Sequence, residues 1–437
     1  MPRLRPAGGS AGRRVSARRL TRGLAVALVA SVAFVGVVGG APAARADQVR
    51  DLEYWLNDYG FSQAWNTSKG AGVTVAVVDT GVDGSVVELN GAVVGGTDVS
   101  GIGSADGQTP VGDDSNHGTL VASLLAGRGT PAGGGLIGVA PEASILSVSV
   151  AFGTSDATLS NDDQIAAGIR WAVDNGADVI NMSLTRNTLD WPTSWDDAFM
   201  YAFDHDVVVV AAAGNRGSGT TEVGAPATIP GVLTVAGVDQ AKEASFDASS
   251  QGITIAVAAP SEKLVGVAPG GGYMQWYGTS AAAPIVSGLV ALVRSAYPKL
   301  DAAQVINRVI ATANPNGHTV PSPVYGNGLI DAAAAVSAYV PKSTSDSPSE
   351  LLGQWITLHR RADSAPITPT EPSTAVPVPP QADPALPERN VAAAWLPSPL
   401  TLTYVSVPLA VLVGFGILVT LFGIGATRHF KRIRSKL

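Results

Sequence analysis

The run Val73-Thr74-Val75-Ala76-Val77-Val78-Asp79-Thr80-Gly81-Val82-Asp83 decides the fold. Its apolar, β-branched residues follow one another without the alternation of a half-buried strand. They predict a strand covered on both faces. Thr80-Gly81 ends the run as a turn and leaves Asp79 at the strand's carboxyl end. Working outward, Ile145–Val150, Val179–Leu184, Val207–Ala213, Val232–Val238 and Ile253–Ala258 read the same way. Helical patterns lie between and after them. Asn161–Asn175 places Ile165, Ile169, Ala172 and Val173 on one face and stops at Gly176. Trp195–His205, Ser280–Ala296 and Ala302–Ala313 read as further helices. Buried strands alternating with helices predict an α/β domain with a doubly wound parallel sheet. Sites in such sheets form at the carboxyl ends of the strands.

Four short motifs fall at those ends. Asp79 closes the first strand. Asn116-His117-Gly118-Thr119 opens the helical segment Leu120–Ala126. Ala211-Ala212-Ala213-Gly214-Asn215 ends a strand with a side-chain amide, and Gly278-Thr279-Ser280-Ala281-Ala282-Ala283-Pro284 places a serine at a helix start. Each has an ordinary reading as a turn or a cap. Together they supply what a serine nucleophile needs: a base to take the hydroxyl proton, a carboxylate to orient that base, and an amide donor for a developing oxyanion.

The composition narrows the alternatives. The 437 residues carry a net charge of −7, 14% charged residues and no cysteine. Thiolate metal sites, disulfides and a cysteine nucleophile are excluded. The charge is unevenly spread. Residues 1–46 hold eight Lys and Arg and no acid, and residues 428–437 hold five and no acid. All 35 acids therefore face only 15 basic residues in the middle. So acidic a body is unsuited to gripping phosphate backbones, and no nucleic-acid partner is expected.

The two ends predict export and anchoring. Residues 1–46 have an Arg-rich start, an apolar Gly23–Gly40 stretch and an Ala44-Arg45-Ala46 cleavage site, as in a signal peptide; an uncleaved anchor is the alternative. The paired arginines leave a twin-arginine export route open. No charge interrupts Val391–Thr427. Residues 400–427 predict a C-terminal transmembrane helix, since ~40 Å of helix exceeds a ~30 Å hydrocarbon core. Arg428, Lys431, Arg432, Arg434 and Lys436 make 428–437 a cytoplasmic tail and leave the body extracytoplasmic at the cell membrane. Residues 341–399 hold 12 of the 29 prolines and predict a linker, interrupted by the apolar stretch Leu351–Leu358. The remaining segments are a 47–72 extension and the 73–340 domain. Within the extension, residues 47–60 are expected to wrap the domain, with Tyr54, Trp55 and Leu56 as apolar anchors.

The order Asp, His, Ser is that of the subtilisin arrangement. Asp79 in VVDTGVD, His117 in NHGTLVASLLAG, Asn215 in AAAGN and Ser280 in GTSAAAP resemble the signatures of the subtilisin-like serine peptidases. The resemblance runs from about Val73 to Asp331. It implies a sheet of subtilisin type, Ser280 as nucleophile, His117 as general base and Asp79 as its orienting acid. It further implies an oxyanion hole of the Asn215 amide and the Ser280 N–H, and a polypeptide substrate laid along Ser183, Leu184 and Thr185 with Gly214 on the opposite wall. Thr185 stands where the family usually has glycine, and either narrows the pocket or is absorbed by a shift of its loop. No cofactor or metal is implied; the acidic loop Ser100–Ser115 reads as calcium-binding or simply solvated, with solvation favoured.

The layout of signal, short extension, peptidase domain, Pro-rich linker, single span and basic tail is similar to that of the mycosins, the membrane-anchored proteases of actinobacterial type VII secretion. Trp55, Gly60 and Trp65, together with Tyr325–Asp331, resemble that group. Type VII secretion components are the implied partners. Two other functions share these features: a structural subunit of a secretion complex, and an esterase using the same triad.

Overall fold

Six of the seven parallel strands in the main sheet carry the buried runs read from the sequence. The structure, a computed structural model, describes residues 49–360 and 424–425. The signal peptide 1–46, nearly all of the 400–427 span, the 428–437 tail and the linker beyond 360 lie outside the described residues. The chain divides into two units, Met1–Pro380 and Gln381–Leu437. Only Ile424 and Gly425, both helical, are described in the second.

In chain order the first unit runs α1 (Trp55–Asp58), α2 (Phe61–Ala64), β1 (Thr74–Asp79), β2 (Val93–Asp98), α3 (His117–Ala126), β3 (Ser144–Ser149), α4 (Asn161–Asp174) and β4 (Val179–Met182). It continues with α5 (Thr193–Asp204), β5 (Val208–Ala212), β6 (Leu233–Val238), β7 (Ile255–Pro260), β8 (Leu264–Val267) and β9 (Tyr273–Trp276). Four helices complete it: α6 (Thr279–Ala296), α7 (Ala302–Ala311), α8 (Ala332–Ser337) and α9 (Pro348–His359).

The sheet order is β2-β3-β1-β4-β5-β6-β7, and every pair is parallel. Strand β1 lies where the order switches direction, so Asp79 ends at the crevice that such sheets leave open. Helices α3 and α6 pack together against one face of the sheet, and α4 and α5 form a second pair that covers the other. With both faces covered, β4 and β5 are buried throughout, which explains why both are apolar but for Asn181. Helix α6 is the one helix among the described residues long and apolar enough to cross a membrane, but most of it is buried in this core. Its hydrophobicity serves packing against five strands and α3.

Three elements depart from the sequence reading. Strand β2 was not expected: it is a half-exposed edge strand broken by Gly95 and Gly96, with no apolar run to mark it. The antiparallel hairpin β8–β9 pairs Leu264–Val267 with Tyr273–Trp276 and also lacked a signal. Helix α9 stands inside the span read as linker. Pro348 occupies its first turn, where a missing N–H costs nothing, and Ser347 and Glu350 close a capping box. Proline content alone therefore misreads this segment. The apolar stretch Leu351–Leu358 docks on α5: Trp355 stacks on Trp191 at 4.2 Å, and Arg360 Nε meets Asp196 Oδ2 at 2.8 Å.

The N-terminal segment lies against the domain. Trp55, Leu56 and Phe61 are buried. Tyr54 donates through its hydroxyl to the Glu262 carbonyl at 2.9 Å, and Trp65 Nε1 donates to the Val139 carbonyl at 2.8 Å. Arg50 donates twice to the Gly135 carbonyl, at 2.9 and 3.1 Å.

Candidate active site

The carboxyl edge of the sheet gathers the four motifs. Asp79 is the last residue of β1, Ser183 follows β4, and Asn215 follows β5. His117 is the first residue of α3 and Ser280 the second of α6, so both helices start at this edge. Helix starts offer unpaired N–H groups and the positive end of the dipole, which favours an anion here.

Asp79 and His117 form a bonded pair. His117 Nδ1 lies 2.8 and 3.0 Å from the two Asp79 oxygens. Asp79 Oδ1 also accepts from the Thr80 N–H at 2.7 Å, which fixes the carboxylate plane. The Thr80 side chain contributes as well, since its hydroxyl accepts the Gly118 N–H at 2.9 Å and anchors the start of α3. Gly118 is required because a Cβ there would come within 2.2 Å of the Gly81 carbonyl oxygen. Bonding at Nδ1 leaves Nε2 as the nitrogen free to take a proton. Burial pushes the imidazole pKa down, but the Asp79 carboxylate, with Asp114 beyond it, more than compensates and the net displacement is upward. Trp276, from β9, meets the imidazole edge-on at 5.6 Å.

The other half is built on α6. The Asn215 side-chain oxygen Oδ1 accepts from the Thr279 N–H at 2.8 Å and from the Thr279 hydroxyl at 2.9 Å. With Oδ1 doubly occupied, the amide cannot turn over, and its NH2 remains the available donor. Gly278, at φ +128°, lies so close to that amide that a Cβ would fall 2.8 Å from Nδ2. Gly214 is buried, its N–H donated to the Thr279 hydroxyl and its carbonyl taken by the Ser250 N–H. Ser280 donates through Oγ to the Ser183 carbonyl at 3.1 Å, and among the described hydrogen bonds none joins it to His117.

A cleft of about 690 Å3 opens from this edge, lined by Asp79, His117, Phe152, Ile165 and the strip Ser183–Thr188. Leu184 and Thr185 line this cleft, while Gly214 lies outside its lining. Thr185 turns its hydroxyl onto the Arg186 carbonyl at 3.0 Å. Arg186 bonds Asp162 of α4, tying the two walls together. In the acidic loop, Asp106 accepts from Ser104 and from the Gln108 N–H, and Asp98 at the end of β2 accepts from Ser100 and Gly103 of the loop. Among the described residues no three His, Asp or Glu side chains gather as a metal site.

The sequence reading missed Thr80, Thr279 and Trp276. The first two adjoin motif residues, and their hydroxyls were the available signal. Trp276 had none, because only the hairpin brings it to His117.

A fold and site of this kind define a serine hydrolase of the α/β class. The comparisons specify it further. The profile of the subtilase family matches residues 70–328. The chain belongs to that family and is a subtilisin-like serine endopeptidase. It is 37% identical over 299 residues to subtilisin DY of Bacillus licheniformis, spanning 68% of this chain and 97% of the relative. Among solved structures it is similar to the MycP3 protease from the type VII (ESX-3) secretion system, at 33% identity and a TM-score of 0.56, over 65% of this chain and 88% of the other. MycP1 from Mycobacterium smegmatis is 30% identical with a TM-score of 0.57, over 67% and 87%.

Proposed function

We propose that the protein is a membrane-anchored, extracytoplasmic endopeptidase that cleaves polypeptides through Asp79, His117 and Ser280, in association with type VII secretion. The observation that carries the catalytic part is the Asp79–His117 pair at 2.8 Å, at the same sheet edge as the start of α6, which carries Ser280. In the first step Ser280 Oγ turns from the Ser183 carbonyl onto His117 Nε2 and attacks the scissile carbonyl carbon. The hydroxyl proton passes to Nε2, and Asp79 stabilises the imidazolium. The oxyanion is held by Asn215 Nδ2 and the Ser280 N–H. Collapse returns the proton to the leaving amine and leaves an acyl-enzyme. Water then repeats the sequence and frees the acid. The substrate backbone lies as an added strand on Ser183–Thr185, with Gly214 behind the site.

The upward displacement of the His117 pKa suits this role. It makes the imidazole a stronger base, at the cost of a smaller neutral fraction near neutrality. Support for the cellular part comes from the likeness to MycP1 and MycP3 and from the apolar 400–427 stretch with its basic tail. We expect Ser280→Ala to abolish both peptide hydrolysis and labelling by a fluorophosphonate probe without changing the fold. Full labelling of that variant overturns the assignment. Restoration of secretion by Ser280→Ala in a deletion strain makes the structural role primary instead.

A further inference from the structure

The backbone of Ser280 has a requirement that the catalytic roles do not explain. In a regular helix its carbonyl accepts from the N–H four residues on. That residue is Pro284, inside α6, which has no N–H. Ser183 fills the gap: its hydroxyl donates to the Ser280 carbonyl at 2.7 Å. Ser183 Oγ in turn accepts from Asn181 Nδ2 at 3.0 Å, and Asn181 Oδ1 accepts from Ser287 Oγ at 2.8 Å. Asn181 and Ser287 are fully buried. Ser287 lies two turns beyond Ser280 on the same side of the helix. Asn181 sits on β4 in register with Val77 of β1.

The direction of these bonds follows from the Ser280 carbonyl, which lacks a helical donor. It takes the Ser183 proton, so the NH2 end of Asn181 faces Ser183 and Oδ1 takes the Ser287 proton. Ser183 Oγ, already accepting, sends its own proton to the Ser280 carbonyl. If Asn181 turned over, its carbonyl oxygen would claim the Ser183 proton. The Ser280 carbonyl would then have neither that donor nor a helical one.

We propose that Ser287 is a positioning residue for the nucleophile: through Asn181 and Ser183 it holds the Ser280 backbone in register with His117. The proposal rests on the reading of Ser280 as nucleophile. Its mechanism is geometric. The Ser280 N–H and Oγ act on the same reacting group, and small displacements of such groups are costly.

The test compares Ser287→Ala with Ser287→Cys and with Ser295→Ala. The Ser295 hydroxyl donates to the Ala71 carbonyl at 2.8 Å, at the far end of the same helix. We expect Ser287→Ala to lower kcat and the rate of fluorophosphonate labelling by about 10–100-fold with KM unchanged. The thiol of Ser287→Cys, a weaker donor of similar shape, restores part of the rate, and Ser295→Ala stays at the wild-type rate. Wild-type turnover per titrated active site in Ser287→Ala overturns the proposal. So does an equal loss in Ser295→Ala. Should Ser287→Ala not fold, Ser287→Cys is combined with Ser183→Ala, and losses that multiply independently overturn the relay. Labelling retained in Ser280→Ala overturns the nucleophile itself. Labelling lost there but at the wild-type rate in Ser287→Ala overturns only the positioning role.

Discussion

Two buried carboxylates, Asp79 and Glu53, show how differently this fold uses the same group. Asp79, at the sheet edge, has two strong partners: the His117 ring on both oxygens and the Thr80 N–H. Glu53, in the N-terminal segment, receives only the Ile137 N–H on Oε1, at 2.9 Å. Arg50 Nε lies 3.0 Å from its other oxygen but donates to the Gly135 carbonyl, and Oε2 has no hydrogen bond. Burial therefore dominates, and despite the Ile137 N–H and Arg50 the Glu53 carboxyl is pushed up to about 8. At the site a carboxylate is surrounded by partners that orient it. In the docked segment one is enclosed by packing and left under-partnered. In the proposed mechanism the first serves chemistry, while the second lies in the attached N-terminal segment.

Separating the two should be possible by mutation. The largest effect is expected from Asp79→Asn, which keeps the volume but removes the charge that orients His117; kcat should fall by about 10⁴-fold while thermal unfolding moves little. Comparable loss of stability in that variant would show that the pair is structural. Next comes Trp55→Ala, at the fully buried anchor of the extension. Unfolding should cost about 3–5 kcal/mol less, with turnover per folded molecule unchanged. A collapse of kcat in the folded fraction would mean that the segment shapes the site.

Smaller effects are expected from pH. Glu53 holds its proton in the folded chain up to about 8, against an ordinary value of 4.5, so the unfolded chain binds fewer protons between those limits. Its contribution to stability is thus lost as pH rises through that window. Glu53→Gln should flatten the pH dependence of denaturant midpoints there, and an unchanged slope would refute the assignment. The last pH effect concerns His117. Its folded pKa lies above the ordinary 6.5, so the stability from its ion pair is full below 6.5 and lost as pH rises through the folded value. Activity needs the neutral ring and should rise over the same interval. In Asp79→Asn the residual activity should titrate at lower pH.

The same contrast governs what the sequence disclosed. Asp79, His117, Asn215 and Ser280 each sit in a local pattern where a strand ends or a helix begins, and one reading of the chain finds them. The buried strands announced themselves through Val73–Asp79 and its counterparts. Trp55 and Leu56 could be recognised as anchors by their bulk, but not the loops they meet. Nothing local marks Ser287: its partner Asn181 is 106 residues away, and only the packing of α6 on β4 joins them. Trp276 and β2 were hidden for the same reason. Pairings made by the tertiary fold leave no periodicity behind.

Helix α9 has a mechanical consequence. Arg360, the last residue described before 424, is clamped to Asp196 and to the Trp191 carbonyl, and it lies against the ring of Trp355. Tension transmitted along the downstream chain would reach this clamp on α5 before reaching any strand of the sheet. A domain working at the end of a tether would have a local strain relief, so that tugging on the chain need not disturb the spacing of the reacting groups.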